Sequence, residues 1–235
     1  MDQKEERLVL SVSEGQAVEK PDWLAREWPL TIVVNGRRCT TLFATPADLE
    51  ELAVGYAYNN GLLASKSDIR ALALDAGGRQ AVLELAPASA GEESLRRQGP
   101  GGFRLSSSRI TGLMAEFSTA SALFRETGAV HAAALAGDKI LVFREDVARH
   151  NAIDKLAGNI VLEDRDPSRL CLLISGRISA AVVTKCRRMG IGLVISRAAP
   201  TSLAVAMAEE AGLTLVGFAR GQRFNIYCNP WRVEL

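Results

Sequence analysis

Ile140-Leu141-Val142-Phe143-Arg144-Glu145-Asp146-Val147-Ala148-Arg149-His150-Asn151-Ala152-Ile153-Asp154-Lys155 is the stretch on which the reading of this chain turns. It opens as an apolar strand and closes inside a helix-like stretch that ends near Leu162. Between them, residues 144–155 carry two arginines, two aspartates, a glutamate, a histidine and a lysine. Charged groups crowded between buried elements are expensive to desolvate. A fold keeps them there mostly when a site at the strand end uses them. Both signs are present, so this is not a simple basic patch. The pattern suits a pocket for a polar, anionic small molecule, held by arginines and oriented by acids and amides.

The elements around this stretch set the fold class. Downstream and just upstream, strands at 129–135, 139–143, 170–174, 192–196, 213–218 and 224–228 are interleaved with helices at 151–162, 178–189 and 201–211. Continuous apolar strands alternating with helices imply an α/β sheet covered on both faces. Ligands of such sheets gather at strand ends and helix N-termini. Before the sheet, Ile110, Leu113, Met114, Phe117, Ala120 and Leu123 follow helical spacing, and Gly128 ends the run. The spacing predicts one long helix over 108–126, apolar on more than one face. Gln98-Gly99-Pro100-Gly101-Gly102 breaks regular structure and marks a domain boundary. In the first third, Asn35-Gly36 supplies the positive φ of a tight turn between strands at Leu30–Val34 and Arg37–Phe43. Thr45 is placed to cap a helix with Pro46 at its first position, running to about Asn60. A second hairpin covers 69–85. The expected layout is a flexible arm at 1–27, a small α+β domain at 28–105 and an α/β domain at 106–235.

The chain has 235 residues, 48% of them hydrophobic, and a formal net charge of +1. A sizeable core follows, and bulk electrostatic attraction to nucleic acid or membrane does not. No apolar run approaches the roughly 20 residues of a membrane span. Met1–Lys20 lacks a signal-peptide core, which points to a cytoplasmic protein. The four cysteines, Cys39, Cys171, Cys186 and Cys228, form no C-x-x-C pair of the kind zinc needs. Cys171 and Cys39 read as small buried hydrophobes. Cys186 lies beside Lys185 and Arg187, which allows either a lowered thiol pKa or a helix position near a solvated basic face.

Three further segments fall at junctions of the α/β sheet: 175–179, Ser196 to Thr201 (with Pro200 between) and 217–223. Each carries small or hydroxyl residues and an arginine, which suits phosphate oxygens. The same residues also suit helix caps and solvated cations, so residue type alone leaves both readings open. His131 sits among apolar residues and reads as a satisfied buried histidine. His150, at a helix start, reads as a site residue, a donor or a proton relay. A zinc deaminase needs H-x-E and P-C-x-x-C. Ala133 stands where the glutamate would be and the cysteine motif is missing, so that chemistry is rejected.

Thr127-Gly128-Ala129-Val130-His131-Ala132-Ala133, the 144–155 run, Ser175-Gly176-Arg177, Ala199-Pro200-Thr201 and Gly217-Phe218-Ala219-Arg220 strongly resemble the FdhD family, accessory proteins of formate dehydrogenase. Pro29–Ile32, Thr45-Pro46 and Leu49–Gly61 fit as well. The resemblance implies a cytidine-deaminase-like α/β/α sandwich without a zinc site, after a small α+β domain, and a homodimer. It implies the transfer of sulfur from a cysteine desulfurase to the molybdenum bis(molybdopterin guanine dinucleotide) cofactor before insertion into apo-formate dehydrogenase. It places the guanine nucleotide, for which GDP is a partial mimic, at Phe218, Ala219, Arg220, Gly221, Gln222 and Arg223. Arg144, Glu145, Asp146, Arg149, His150, Asn151, Ser196, Pro200 and Thr201 lie nearby on the same reading. The family's sulfur-carrying C-G-x-C-G motif is absent: the corresponding stretch is Gln98–Phe103. The alternative is therefore a cofactor carrier that binds the nucleotide without transferring sulfur. If sulfur is carried, Cys228, close in sequence to the nucleotide-binding turn, is the candidate.

Overall fold

The computed structural model describes residues 1–86 and 102–235. The break expected at Gln98–Gly102 lies outside them except for Gly102. Within the described residues the chain is a mixed α/β protein with four sheets, and no helix is long and apolar enough to cross a membrane.

The first element corrects the sequence reading. Residues expected as a flexible arm form a regular antiparallel ribbon of β1 (Lys4–Ser13) and β2 (Gln16–Ala25), paired from Lys4↔Ala25 to Ser13↔Gln16. Glu14 and Gly15 turn the chain with φ of 51° and 81°. Positive φ at both positions is the type I′ geometry that matches strand twist. The signal was there in the alternation Leu8, Leu10, Val12. It was easy to pass over because that face meets no core: Leu8 is 75% exposed.

The next unit holds β3 (Trp28–Val34), β4 (Arg37–Ala44), α1 (Leu49–Asn59), β5 (Ile69–Leu74) and β6 (Gln80–Leu85). The strands run in the order β4-β3-β6-β5, with β3 and β6 parallel. α1 starts later than the sequence suggests. Its N-cap is Asp48, in a left-handed conformation, and not Thr45. Thr45 is buried and has other partners: its Oγ1 accepts from Val147 N and its own N–H donates to Asp146.

After β7 (Leu105–Ser106), the expected long helix is two helices, α2 (Ser107–Ala120) and α3 (Ala122–Thr127). Ser121 separates them and caps α3, its Oγ accepting from Phe124 N. The apolar residues of α2 lie on one face. Ile110, Leu113, Met114 and Phe117 are buried while Ala115 and Glu116 are exposed.

The main sheet contains β8 (His131–Ala136), β9 (Ile140–Asp146), β10 (Cys171–Ile174), β11 (Leu193–Ser196), β12 (Thr214–Arg220) and β13 (Arg223–Cys228), in the order β13-β12-β11-β10-β8-β9. Strands β10, β11 and β12 are parallel and the other pairs antiparallel. Between them run α4 (Arg149–Leu162), α5 (Ala180–Met189) and α6 (Ser202–Ala211); β14 (Val233–Glu234) pairs with β7. Period-two alternation splits the sheet cleanly. Ala133, Leu135, Leu172 and Val194 face a core shared with α1, α4, α5 and α6; Ala132, Ala134, Leu173 and Ile195 face α2.

The two units are not independently cored. Leu30, Leu52 and Leu83 of the first belong to the same buried cluster as Ile153, Leu156 and Val182 of the second. The joint is the crossing of α1 and α4. A Cβ on Gly55 would overlap the Asp154 carbonyl, and one on Gly158 would overlap the Glu51 carbonyl. Both glycines therefore allow backbone to meet backbone, as small residues do at close helix crossings. Substituting Gly158→Ala forces the helices apart. The expected loss is about 2–3 kcal/mol or more, on the scale of overpacking, measured by urea unfolding at unchanged m-value.

Candidate functional site

The charged run divides by strand alternation into side chains with partners and side chains without. On β9, Arg144 and Asp146 face α1 and α4, while Glu145 faces the other way and accepts from the Ser121 hydroxyl. Arg144 forks onto Glu51, with Nε–Oε2 at 2.5 Å and Nη2–Oε1 at 2.6 Å, and has Asp48 at 3.5 Å. The Glu51 hydrogen bond raises the Arg144 pKa further. Asp146 and Lys155 form a fully buried ion pair at 2.8 Å. Asp146 also accepts from Thr45 N, Ala148 N and Asn151 Nδ2. Burial pushes its carboxyl up, and Lys155 and these donors pull it back. Lys155 donates to Glu145 O at 2.9 Å, and Asn151 donates to Phe43 O. Asp154 receives Lys185 and Asn59, with burial raising its pKa. Arg144, Asp146 and Asn151, proposed from sequence as cofactor contacts, are thus engaged in joining the two units, and Glu145 holds Ser121.

Arg149 and His150 are different. They open α4, and both Arg149 Nε and His150 Nδ1 are buried without a hydrogen-bond partner among the described residues. A buried donor left unmade is costly and calls for a ligand or a function.

The other three segments converge on the same sheet edge. Ser175 N donates to Ala132 O, Arg197 N to Ile174 O, and Phe218 N to Ala198 O. Ser196 is buried; its Oγ donates to Gly176 O and accepts from Ala198 N, so it ties two segments together. Pro200 pairs with Ile178 in an isolated bridge, and Thr201 caps α6 by accepting from Ala204 N. These three are braces. Ser175 is no helix cap here: its Oγ accepts from Ala132 N.

At 218–223 the backbone departs from a regular ladder. The β12–β13 register shifts between Gly217 and Arg220, and Phe218 has φ of 52°. A non-glycine residue in that region at a bulge costs of the order of 1 kcal/mol and persists where the surroundings or a function require it. The bulge turns Phe218 outward, 39% exposed, while Ala219 is buried. Gly221 and Gln222 make the turn, and Arg220 faces Arg223 directly across it. Like charges placed opposite each other destabilise a sheet unless an anion lies between them. Arg220 Nε donates to Arg197 O at 2.9 Å. Among the described residues, none of Arg149, Arg177, Arg197, Arg220 and Arg223 is in an ion pair.

Beside this edge lies a cavity of about 390 Å³, lined by Phe117, Ser121, Phe124, His131, Ser175 and Arg197 among others. It opens where α2 breaks into α3. Sequence reading took His131 for a satisfied core histidine. Instead it is half-buried with Ser175 Oγ 3.5 Å from Nδ1, and Gly176 leaves it and Arg149 as close neighbours. Its position as the first residue of β8, shortly after the Gly128 helix end, is the signal that could have shown this. Burial first, and Arg149 second, lower the His131 and His150 pKa values.

The cysteines are placed less favourably for chemistry. Cys171 and Cys186 are fully buried, and burial pushes both thiols up to about 12. Cys186 thus does not sit on a solvated face. Cys228 is also buried, its thiol donating to Leu213 O, and burial raises its pKa. That is the environment of an inert thiol rather than a carrier. Cys39, expected inside, is the exposed one. The glycine-rich stretch that stands in place of C-G-x-C-G lies outside the described residues up to Gly101.

A family model described as the FdhD/NarQ family matches residues 25–100 and 88–234. A protein from Staphylococcus haemolyticus named "Sulfur carrier protein FdhD" is 34% identical, with 96% of this chain and 95% of that protein covered. One of the same name from Bacillus subtilis is 31% identical, with 97% of each covered. The crystal structure of a protein assigned as a formate dehydrogenase accessory protein from Desulfotalea psychrophila superposes with a TM-score of 0.89 at 28% identity, covering 99% of this chain and 100% of that one.

Removing one partner of the buried pair should be severe. Lys155→Met strands the Asp146 carboxylate and is expected to cost about 3–5 kcal/mol, and Asp146→Asn in the same chain, which removes the charge but keeps an acceptor for Thr45 N and Ala148 N, should recover part of that loss. Denaturant unfolding of the single and double variants checks it.

Proposed function

The chain belongs to the FdhD/NarQ family, and from that premise we propose that it is an accessory protein of formate dehydrogenase that holds the guanine-nucleotide part of the molybdenum cofactor as cargo. The observation that carries this reading is the cross-strand pair Arg220↔Arg223 beside the strained, outward-turned Phe218. Two opposed guanidinium groups suit the oxygens of a pyrophosphate, and an exposed ring beside them suits a base face. The unpaired donors of Arg149 and His150 on the same edge favour an anion too. The residues present therefore fit the nucleotide of a bis(molybdopterin guanine dinucleotide). Their contribution is to bind and orient it; the chemistry of the metal belongs to the cargo. The same reading takes the main sheet, with α2 on one face and α4, α5 and α6 on the other, as a cytidine-deaminase-like sandwich without a zinc site. It takes the apo-dehydrogenase as recipient.

Sulfur transfer from a cysteine desulfurase is the second reading, and the names of the relatives favour it. It needs a thiolate. Three of the four cysteines are buried, so binding without sulfur transfer is the reading this chain's residues support better. Incubation with a cysteine desulfurase and cysteine should leave Cys171, Cys186 and Cys228 without an added sulfur atom by mass spectrometry. A stable adduct on Cys228 or Cys39 returns the protein to the sulfurtransferase reading.

A homodimer belongs to the same proposal. α2 does not supply its surface, since its apolar stripe is spent on the sheet. The exposed apolar side chains of the β1–β2 ribbon, Leu8, Leu10 and Val12, are the surface assigned to it. A monomer by sedimentation at tens of micromolar concentration removes this part.

GDP should bind with micromolar-range affinity, about −8 kcal/mol. Arg220→Ala or Arg223→Ala should weaken it by about 1.5–3 kcal/mol, the scale of a charge-assisted hydrogen bond. Calorimetry that finds no GDP binding, or the same affinity in both variants, removes the nucleotide reading.

A further inference from the structure

The cavity beside the nucleotide edge has features that the Arg220–Arg223 turn does not explain. Its apolar wall is Phe117 and Phe124 on either side of the α2–α3 break; Phe124 is half exposed. Its polar groups converge from three strand ends: His131 from the start of β8, Ser175 from the end of β10 and Arg197 from the end of β11. A cavity of about 390 Å³ with an aromatic wall and a few converging polar groups has the form of a small-molecule site. Arg197 makes no ion pair and its guanidinium donates no hydrogen bond among the described residues. Behind the polar groups, a Cβ on Gly176 would lie 3.4 Å from Arg149 Cδ and 3.7 Å from His131 Nδ1, so the arginine stem and the imidazole are close neighbours at this residue.

We propose that this cavity is a proton-coupled subsite for a phosphoryl group, with Arg197 and His131 as its direct contacts, Arg149 and His150 charging it from behind, and Phe124 covering the adjoining ring or sugar. The proposal rests on the nucleotide reading above and extends it to residues outside the 218–223 turn.

The proton coupling follows from what surrounds each histidine. His131 is faced by Asp146 across the β8–β9 pair, by Arg149 from α4, by Ser175 after β10 and by Arg197 after β11. The Asp146 charge is already matched by Lys155. Glu145 is the other acid near the cavity, its carboxylate on the Ser121 hydroxyl of the wall; against it stand Arg149 and Arg197, so the balance around His131 is cationic. His150 is faced by Arg149, by Lys185 from α5 and by His131. Both rings are half-buried. In the free protein, burial and these cations disfavour the imidazolium form of both rings. A phosphoryl dianion beside them reverses the balance and favours the imidazolium. Entry of the anion then draws protons into the site, and by linkage its affinity falls as pH rises. The sign is fixed. The histidine pKa is lower in the free protein than in the complex, so binding takes up protons at any pH between the two values and none well above or below both.

The test is titration calorimetry of GDP into the full chain at neutral pH in two phosphate-free buffers of different protonation enthalpy, repeated across pH. The expected result is uptake of on the order of one proton per GDP and an affinity that rises up to about tenfold per pH unit on acidification. His131→Gln should abolish most of the uptake and flatten the profile. Arg197→Ala should weaken binding at every pH by about tenfold or more, and Phe124→Ala by a few fold. Thermal melting of each variant separates a binding defect from a folding defect, and His131→Asn serves if His131→Gln fails to fold. If GDP binds with Arg220 and Arg223 dependence but with no proton uptake and unchanged affinity in Arg197→Ala, the subsite is wrong and the nucleotide reading stands. If GDP fails to bind, inorganic pyrophosphate is the probe. Its binding with Arg197 and proton dependence keeps the subsite without the nucleotide, and its failure removes both.

Discussion

Lys155 is fully buried, and the rest of the site depends on how that charge is accommodated. An ammonium in the interior persists only with a counter-charge and acceptors close by. Asp146 supplies the first, and the carbonyl oxygens of Glu145 and Thr45 supply the second. The groups in contact span three places in the fold: Asp146 and Glu145 at the end of β9, Thr45 in the chain before α1, and Lys155 itself in the second turn of α4. One ion pair therefore fixes the strand end, the helix and the first unit with respect to one another. The Gly55 and Gly158 crossing makes this possible, because it brings α1 and α4 near enough for Glu51 to reach both Arg144 and Asn159.

The consequence is a division of the charges in residues 144–155. Those on the α1 side are paired, hydrogen-bonded and closed to a ligand. Those at the open end of α4 are not. Arg149 and His150 begin the helix immediately after the turn that Asp146 secures, with Ala148 N and Asn151 Nδ2 both donating to its carboxylate. The paired half of the run holds the unpaired half in place. Five arginines without carboxylate partners among the described residues then share one sheet edge. Such an edge repels itself, and an anionic ligand is the simplest relief of that repulsion.

Much of this was legible in the sequence, and the misses have physical causes. Alternation in the α/β half identified the six strands and the shared edge correctly, because buried strands there are continuous apolar runs. The importance of residues 144–155 was also readable. Which of its charges served structure was not, since pairing partners such as Glu51 and Thr45 lie about a hundred residues away and only the fold brings them near. Thr45 looked like a cap for the same reason: a hydroxyl before a proline suits a helix start, but tertiary hydrogen bonds took it. The ribbon at residues 4–25 was missed because its apolar face is exposed, and burial is what sequence patterns are usually read for. His131 was misjudged because its neighbours are apolar, although its ring lies at the strand end, where the sheet stops shielding it.

The strained position of Phe218 adds a separate argument about what the edge is for. A β12–β13 hairpin with a regular register would place Phe218 opposite a partner and leave Arg220 and Arg223 on an ordinary ladder. The bulge instead buries Ala219, turns Phe218 outward and brings Arg220 over the Arg197 carbonyl. Gly217 permits this close packing, since a Cβ there would press on Tyr227, the Ala198 carbonyl and Pro200. The backbone strain and the opposed arginines each cost stability, and what the core gains in return is Ala219. Their cost is borne at the place where an aromatic ring and two guanidinium groups face solvent together. No cysteine lies near enough in sequence to share this surface except Cys228, whose thiol points inward to Leu213 O. On the nucleotide reading proposed above, this is the surface that takes an anion with a flat face.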